Sequence, residues 1–130
     1  MPKLSKKSSE RLSTCHPLLI TIFTDVIKII DFSVVCGHRT EAEQNIAFRD
    51  GHSKLKWDKS KHNRTPSLAI DVVPYPCDWD DLSGFKALSE KILIVADFHK
   101  IPLFWGAWWE SMRDFPHWEL VTQDEDGDLL

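Results

Sequence analysis

Three side chains of this 130-residue chain, His62, Asp71 and His117, are of the types that hold a zinc ion, and Asp114 stands three residues ahead of the last. Two imidazoles and one carboxylate fill three corners of a tetrahedron and leave the fourth open to water. A second carboxylate beside that water is the base a hydrolase needs. Each candidate sits in a short context: Ser60-Lys61-His62, Ala69-Ile70-Asp71 and Asp114-Phe115-Pro116-His117-Trp118-Glu119. Spacing alone supports the set only weakly. His62 and Asp71 are nine apart, a separation that arises by chance, whereas Pro116 inside Asp114-x-x-His117 forces a defined turn. The same residues admit a plainer arrangement, with His62 on the surface, Asp71 capping a turn before Pro74, and His117 packed.

Other chemistries lack their motifs. There is no H-E-x-x-H, no G-x-S-x-G and no glycine-rich phosphate loop. Asp124-Glu125-Asp126-Gly127-Asp128 resembles part of a calcium loop without its full register, so it reads as an acidic tail. Cys15, Cys36 and Cys77 form no CxxC pair and are odd in number, which fits core packing in a reducing compartment.

The formal net charge of −4 excludes the electrostatic footprint of a nucleic-acid binder. Charge is nonetheless uneven. Residues 1–11 carry Lys3, Lys6, Lys7 and Arg11 against Glu10, and residues 52–64 carry five Lys or Arg against Asp58. Such a face suits a polyanionic polymer, although a solvated surface is the preferred explanation for either run. The N-terminus lacks the apolar run of a signal peptide, and the apolar stretch Pro17 to Ile30 is broken by Thr21, Thr24, Asp25 and Lys28. The expectation is a product made in the cytoplasm without a signal peptide and without stable membrane association.

The elements that must position these residues follow from periodicity and caps. A short helix after Ser8 and Ser9 ends near Cys15. Pro17 opens a buried helix over 17–30, on which Leu18, Ile22, Val26, Ile29 and Ile30 recur at three- and four-residue steps. Phe32 to Cys36 reads as a strand, and Thr40 with Glu43 as a capping box for a helix from Glu41 to about Asp50. Residues 52–67 form a loop of a length more often functional than idle. Leu68 to Val73 is a second strand. Asp80 or Asp81 caps a helix running to about Lys100, with Leu82, Phe85, Leu88, Ile92 and Val95 inward. Leu103 to Trp105 and His117 to Thr122 are short strands around a turn at Gly106. The pattern predicts an α+β fold, a small and mainly antiparallel sheet packed with helices, in a single domain over 1–130 with its core at about 8–121 and an acidic tail at 122–130.

Four ordered blocks then carry a family resemblance. They are Cys36-Gly37-His38-Arg39-Thr40-Glu41-x-Glu43-Gln44, Asp50-Gly51-His52-Ser53-Lys54, Ser60-Lys61-His62 with Ala69-Ile70-Asp71, and Trp105-Gly106 with Asp114 to Leu120. Over about 8–121 the chain resembles the VanY-like D-Ala-D-Ala carboxypeptidase family of zinc peptidases, and within it the small phage endolysins of the L-alanyl-D-glutamate peptidase type. The resemblance implies one Zn2+ held by His62, Asp71 and His117, with Asp114 as general base and acid. It implies Arg39 at the developing oxyanion or on substrate, and Ser60 near substrate. Glu119 would orient a ligand histidine or compete with Asp114 as base. His38 would position Arg39 or pack, His52 and His16 would lie on the surface, and His99 would end a helix. The tryptophans would be core, except that Trp108 or Trp109 could line the groove.

The implied activity is hydrolysis of the L-Ala–D-Glu bond of the peptidoglycan stem peptide by a monomer that reaches the wall through a partner holin. The alternatives are a D-Ala-D-Ala carboxypeptidase or dipeptidase, and a non-catalytic zinc-containing wall-binding module. Three departures mark the chain, the first being Cys36 where a serine is frequent before Gly37. The family pattern S-x-H-x-x-G-x-A-x-D spans seven residues from His to Asp where this chain spans nine, with Ser67 in the glycine's place. Ala107-Trp108 stands where Gly-Asp is common after Trp-Gly.

Overall fold

In the computed structural model, which describes residues 2–122, four helices pack around a four-stranded antiparallel sheet. The elements are α1 (Lys6–Leu12), α2 (Pro17–Val26), β1 (Phe32–Cys36), α3 (Glu41–Arg49), β2 (Ala69–Pro74), α4 (Leu82–Phe98), β3 (Leu103–Trp105) and β4 (His117–Leu120), with 3₁₀ turns at Lys61–Asn63 and Gly106–Trp108. Strand order is β1-β2-β4-β3. The α+β expectation holds. The acidic run Asp124 to Asp128 lies outside the described residues.

Local chemistry explains most boundaries. Pro17 opens α2 because its missing N–H is one the first turn cannot satisfy anyway, and the His16 ring accepts from Leu18 N at 3.1 Å. The capping box of α3 is complete: Thr40 Oγ1 accepts from Glu43 N, and Glu43 Oε1 accepts from Thr40 N. Asp81 caps α4 by accepting from Gly84 N.

Three expectations shift. Helix α2 ends at Val26 rather than Ile30, because the chain tightens there: Ile29 N and Ile30 N both bond to Val26 O. Ile27 is buried in this three-residue turn, whereas Ile29, expected on the buried face, is 52% exposed because the tighter turn rotates it outward. The first helix spans Lys6–Leu12, one turn earlier than expected, and Ser5 caps it. Leu82, expected inward, is 55% exposed, since it occupies the first turn of α4 while Phe85, Leu88, Ile92 and Val95 meet the core.

The core lies between the sheet and helices α2 and α4, around Phe23, Phe32, Ile70, Ile92, Trp118 and Leu120. Trp118 and Trp105 stack across β4 and β3 at 5.3 Å between ring centroids, which makes both of them structural. Helix α3 is different. Its buried residue is the amide Gln44, while Ile46 and Phe48 face out.

Candidate functional site

The site is built on β2 and β4. Central strand β2 pairs with β1 on one side and β4 on the other, so Asp71 sits opposite both Cys36 and His117. The register slips between Val34 and Cys36, a bulge of the kind that re-aims side chains beside active sites. His62 arrives from the loop, in the 3₁₀ turn that Ser60 caps by accepting from His62 N and that Asn63 Oδ1 closes onto Ser60 N. The longer His62–Asp71 interval is taken up as a looped segment. Leu68 N bonds to Lys61 O across its base, and buried Ser67 is tied to Thr14 O and His16 N.

These elements bring three donor atoms together. His62 Nε2 lies 3.2 Å from Asp71 Oδ1, His117 Nδ1 lies 3.1 Å from the same oxygen, and the two nitrogens are 3.3 Å apart. Ligands about 2.0–2.1 Å from a tetrahedral zinc are separated by about 3.3 Å, so this triangle matches one face of such a site. The far side of each ring is already committed. His62 Nδ1 donates to Gly37 O at 2.8 Å, and His117 Nε2 donates to Glu119 Oε1 at 2.8 Å. Each imidazole therefore presents its remaining nitrogen to the centre, the outer hydrogen bonding typical of metal-ligating histidines. Two inward nitrogens and a carboxylate oxygen this close call for a cation or protons among them.

The electrostatics agree. Burial alone would push both imidazoles down, but the Asp71 carboxylate outweighs it, placing His62 at about 10 and raising His117 above its ordinary value. Burial would raise Asp71, yet the two imidazoles hold it well below the usual carboxylate range. In the metal-free protein the centre is thus a proton-holding cluster. Glu119, against its burial, is held low by His117 and by Lys61, whose Nζ lies 2.8 Å from Glu119 Oε2.

Asp114 stands beside the triangle, its carboxylate within 4.8 Å of donor atoms of Asp71 and His117. Burial, and then the Asp71 charge, raise its pKa, which suits a group that must take up a proton. The Trp105-Gly106 pair fixes it there. Trp105 Nε1 donates to Phe115 O at 2.7 Å, and Asp114 N donates to Gly106 O at 3.1 Å. A Cβ on Gly106 would strike Asp114 O, so any larger residue must shift the turn.

Arg39 Nη2 lies 3.8 Å from Asp71 Oδ2, and its Nη1 donates to Gln44 Oε1 at 2.9 Å. Gln44 also accepts from Asn63 and donates to Leu55 O at 2.6 Å, tying α3, the 3₁₀ turn and the loop to one amide. Sequence reasoning gave Gln44 and Asn63 no role. The available signal was an amide on the inward face of a capped helix with little apolar periodicity. Glu119 is bound to His117 and Lys61, whereas no ion pair among the described residues engages Asp114.

A cleft of about 430 Å³ opens over these groups and is lined by Arg39, Ser60, His62, Asp71, Asp114 and His117, among others. Trp109 also lines it and stacks on the His117 ring, whereas Trp108 does not reach it. His52, expected on the surface, is exposed but forms part of the cleft edge. His38 turns away toward Thr65 Oγ1, and His99 ends α4 against Asp25 at 2.7 Å. Cys36 sits near the outer nitrogen of His62, at 3.7 Å, and Cys15 is buried with its thiol pushed up to about 12.

Comparison with known proteins gives concordant matches. A family model for phage L-alanyl-D-glutamate peptidase matches residues 1–127. The L-alanyl-D-glutamate peptidase of Escherichia phage T5 is 35% identical over 132 residues, covering 96% of this chain and 93% of that protein. The crystal structure of the Serratia marcescens L-Ala D-Glu endopeptidase ChiX superposes with a TM-score of 0.77 at 26% identity, covering 92% of this chain and 90% of that one.

Proposed function

The chain belongs to the phage L-alanyl-D-glutamate peptidase family, and on that premise we propose that it is a zinc-dependent peptidoglycan endopeptidase that cuts the L-Ala–D-Glu bond of the stem peptide. The observation that carries the metal assignment is the triangle of His62 Nε2, Asp71 Oδ1 and His117 Nδ1, each histidine with its other nitrogen already bonded.

Zinc bound there supplies Lewis acidity, polarising the scissile carbonyl and bringing the pKa of water toward about 7. The chain's own groups do the rest. Asp114 takes the proton of the attacking water and returns it to the leaving amine. Arg39, held in place by Gln44, offers its guanidinium to the oxygen on which charge develops, and it stays charged throughout. Ser60 holds the turn that presents His62 and lies in the cleft wall against substrate. Glu119 keeps His117 in the ligating tautomer.

No helix among the described residues is long and apolar enough to cross a membrane. We assign the protein to lysis: a monomer made in the host cytoplasm that reaches the wall once a holin has permeabilised the membrane. The test is digestion of purified peptidoglycan by the zinc-loaded protein, followed by mass spectrometry of the fragments. New N-terminal D-Glu ends support the reading. Loss of terminal D-Ala alone moves the protein to the carboxypeptidases, and binding without hydrolysis moves it to the wall-binding modules.

A further inference from the structure

The densest basic stretch of the chain, residues 52–64, contributes Ser60 and His62 to the site, but its Lys54 and Lys59 have no part in the chemistry described so far, although the fold lays them along the cleft. Lys54, Lys59 and Lys61 all line the opening. Lys61 is committed to Glu119 and to Leu120 O, and Lys56, outside the lining, lies over the Phe48 ring. Lys54 and Lys59 are exposed and enter no ion pair among the described residues. The cleft's four Lys and Arg side chains meet three carboxylates, and Arg39 and Lys61 already face two of these, Asp71 and Glu119. Lys54 and Lys59 are thus the cleft's two ammonium groups without an ion-pair partner among the described residues, and they leave it one positive charge in excess in a chain of net charge −4. Trp109, Ser111 and Met112 line the cleft differently, with an indole and a thioether among them.

Resting on the endopeptidase reading, we propose that Lys54 and Lys59 form a specificity rim for the free carboxylate of the residue on the amine side of the scissile bond. A glutamyl residue has two carboxyl groups. A peptide that continues through one of them leaves the other ionised, close to the bond to be cut. An alanyl residue on the acyl side offers only a methyl group, which the surface of Trp109 and Met112 suits. The charge that the rim meets must therefore come from the amine side. Amidation of that carboxylate removes its charge at nearly constant size, so the rim distinguishes free-acid from amidated peptides. An exposed charge contact changes affinity by a factor of about 1.5 to 5. The pair together gives a preference of about three- to tenfold, expressed in KM and weakened by salt.

The experiment uses two matched stem peptides, one with that carboxyl free and one with it as the carboxamide. The zinc-loaded wild type and the Lys54→Gln/Lys59→Gln double variant are assayed on both, and binding of the amine-side product peptides is followed by tryptophan fluorescence. Wild type should favour the free acid about three- to tenfold in KM and in product Kd, with similar kcat. That preference should collapse toward one in the double variant and at high salt, and persist in Lys86→Gln on α4, outside the cleft. Equal handling of both peptides by wild type, or a preference that survives intact in the double variant, overturns the rim alone. Cleavage of neither peptide by wild type overturns the endopeptidase reading and the rim with it.

Discussion

His117 and Glu119, two residues apart on β4 and therefore on the same face of the strand, meet through Nε2 and Oε1 at 2.8 Å. That contact decides which nitrogen of His117 faces the centre, and it occupies the carboxylate that would otherwise rival Asp114.

Replacing Glu119 should therefore damage metal binding more than chemistry. Glu119→Gln is expected to weaken zinc affinity by about 10- to 100-fold while the metal-saturated variant keeps most of its kcat. Competition with a chromophoric chelator measures the first quantity, and peptide hydrolysis at saturating zinc the second. A kcat loss as large as that of an Asp114 variant would make Glu119 the base.

Asp114→Asn should give the opposite pattern. Zinc content and KM stay near wild type, and kcat falls by about 10²–10⁴, the usual contribution of a positioned general base. Metal analysis alongside steady-state kinetics separates the two effects.

Metal binding should release protons, and pH should move metal-free and metal-loaded stability in opposite directions. With the Asp71 charge holding His62 at about 10, that imidazole is protonated at neutral pH before metal enters, and His117 is shifted in the same direction. Between one and two protons per ion should appear at pH 7 in calorimetry across buffers of different ionisation enthalpy. Raised histidine pKa values stabilise the metal-free fold fully below their unfolded value of about 6.5, and that contribution disappears as pH rises toward 10. The depressed Asp71 contributes above its unfolded value of about 3.9, and that part is lost on further acidification. Metal-free melting temperature should thus fall from pH 6.5 to 9, while zinc affinity rises across the same interval.

Gly106→Ala tests the placement of Asp114. The added methyl meets Asp114 O and crowds His117 Cβ. Displacing a catalytic group by about 1 Å costs roughly a hundredfold in rate. The expected result is a loss of that order in kcat/KM with secondary structure retained by circular dichroism. Full activity would show that the turn relaxes without moving the carboxylate.

Much of this molecule is legible in its sequence because the signals are local. The capping box at Thr40 and Glu43, Pro17 at a helix start, and the β-branched runs at 32–36 and 69–74 each act within a few residues, so the α+β pattern can be read without tertiary contacts. The four ordered blocks likewise contain the residues of the metal triangle together with Asp114, Arg39 and Ser60. The end of α2 was not legible, because recurrence at three or four residues is common to α-helix and tighter turns.

Tertiary structure alone decided the rest, since it depends on groups distant in sequence meeting at ångström range. Which nitrogen each histidine turns inward is set by Gly37 O and Glu119, on β1's end and β4. The extra residues between His62 and Asp71 are absorbed by bonds to Thr14 and His16, some fifty positions away. Gln44 gains its role only because folding carries Arg39, Asn63 and Leu55 to one buried amide. Residue types determined the chemistry available to this chain, and long-range hydrogen bonding determined which atoms meet at the candidate site.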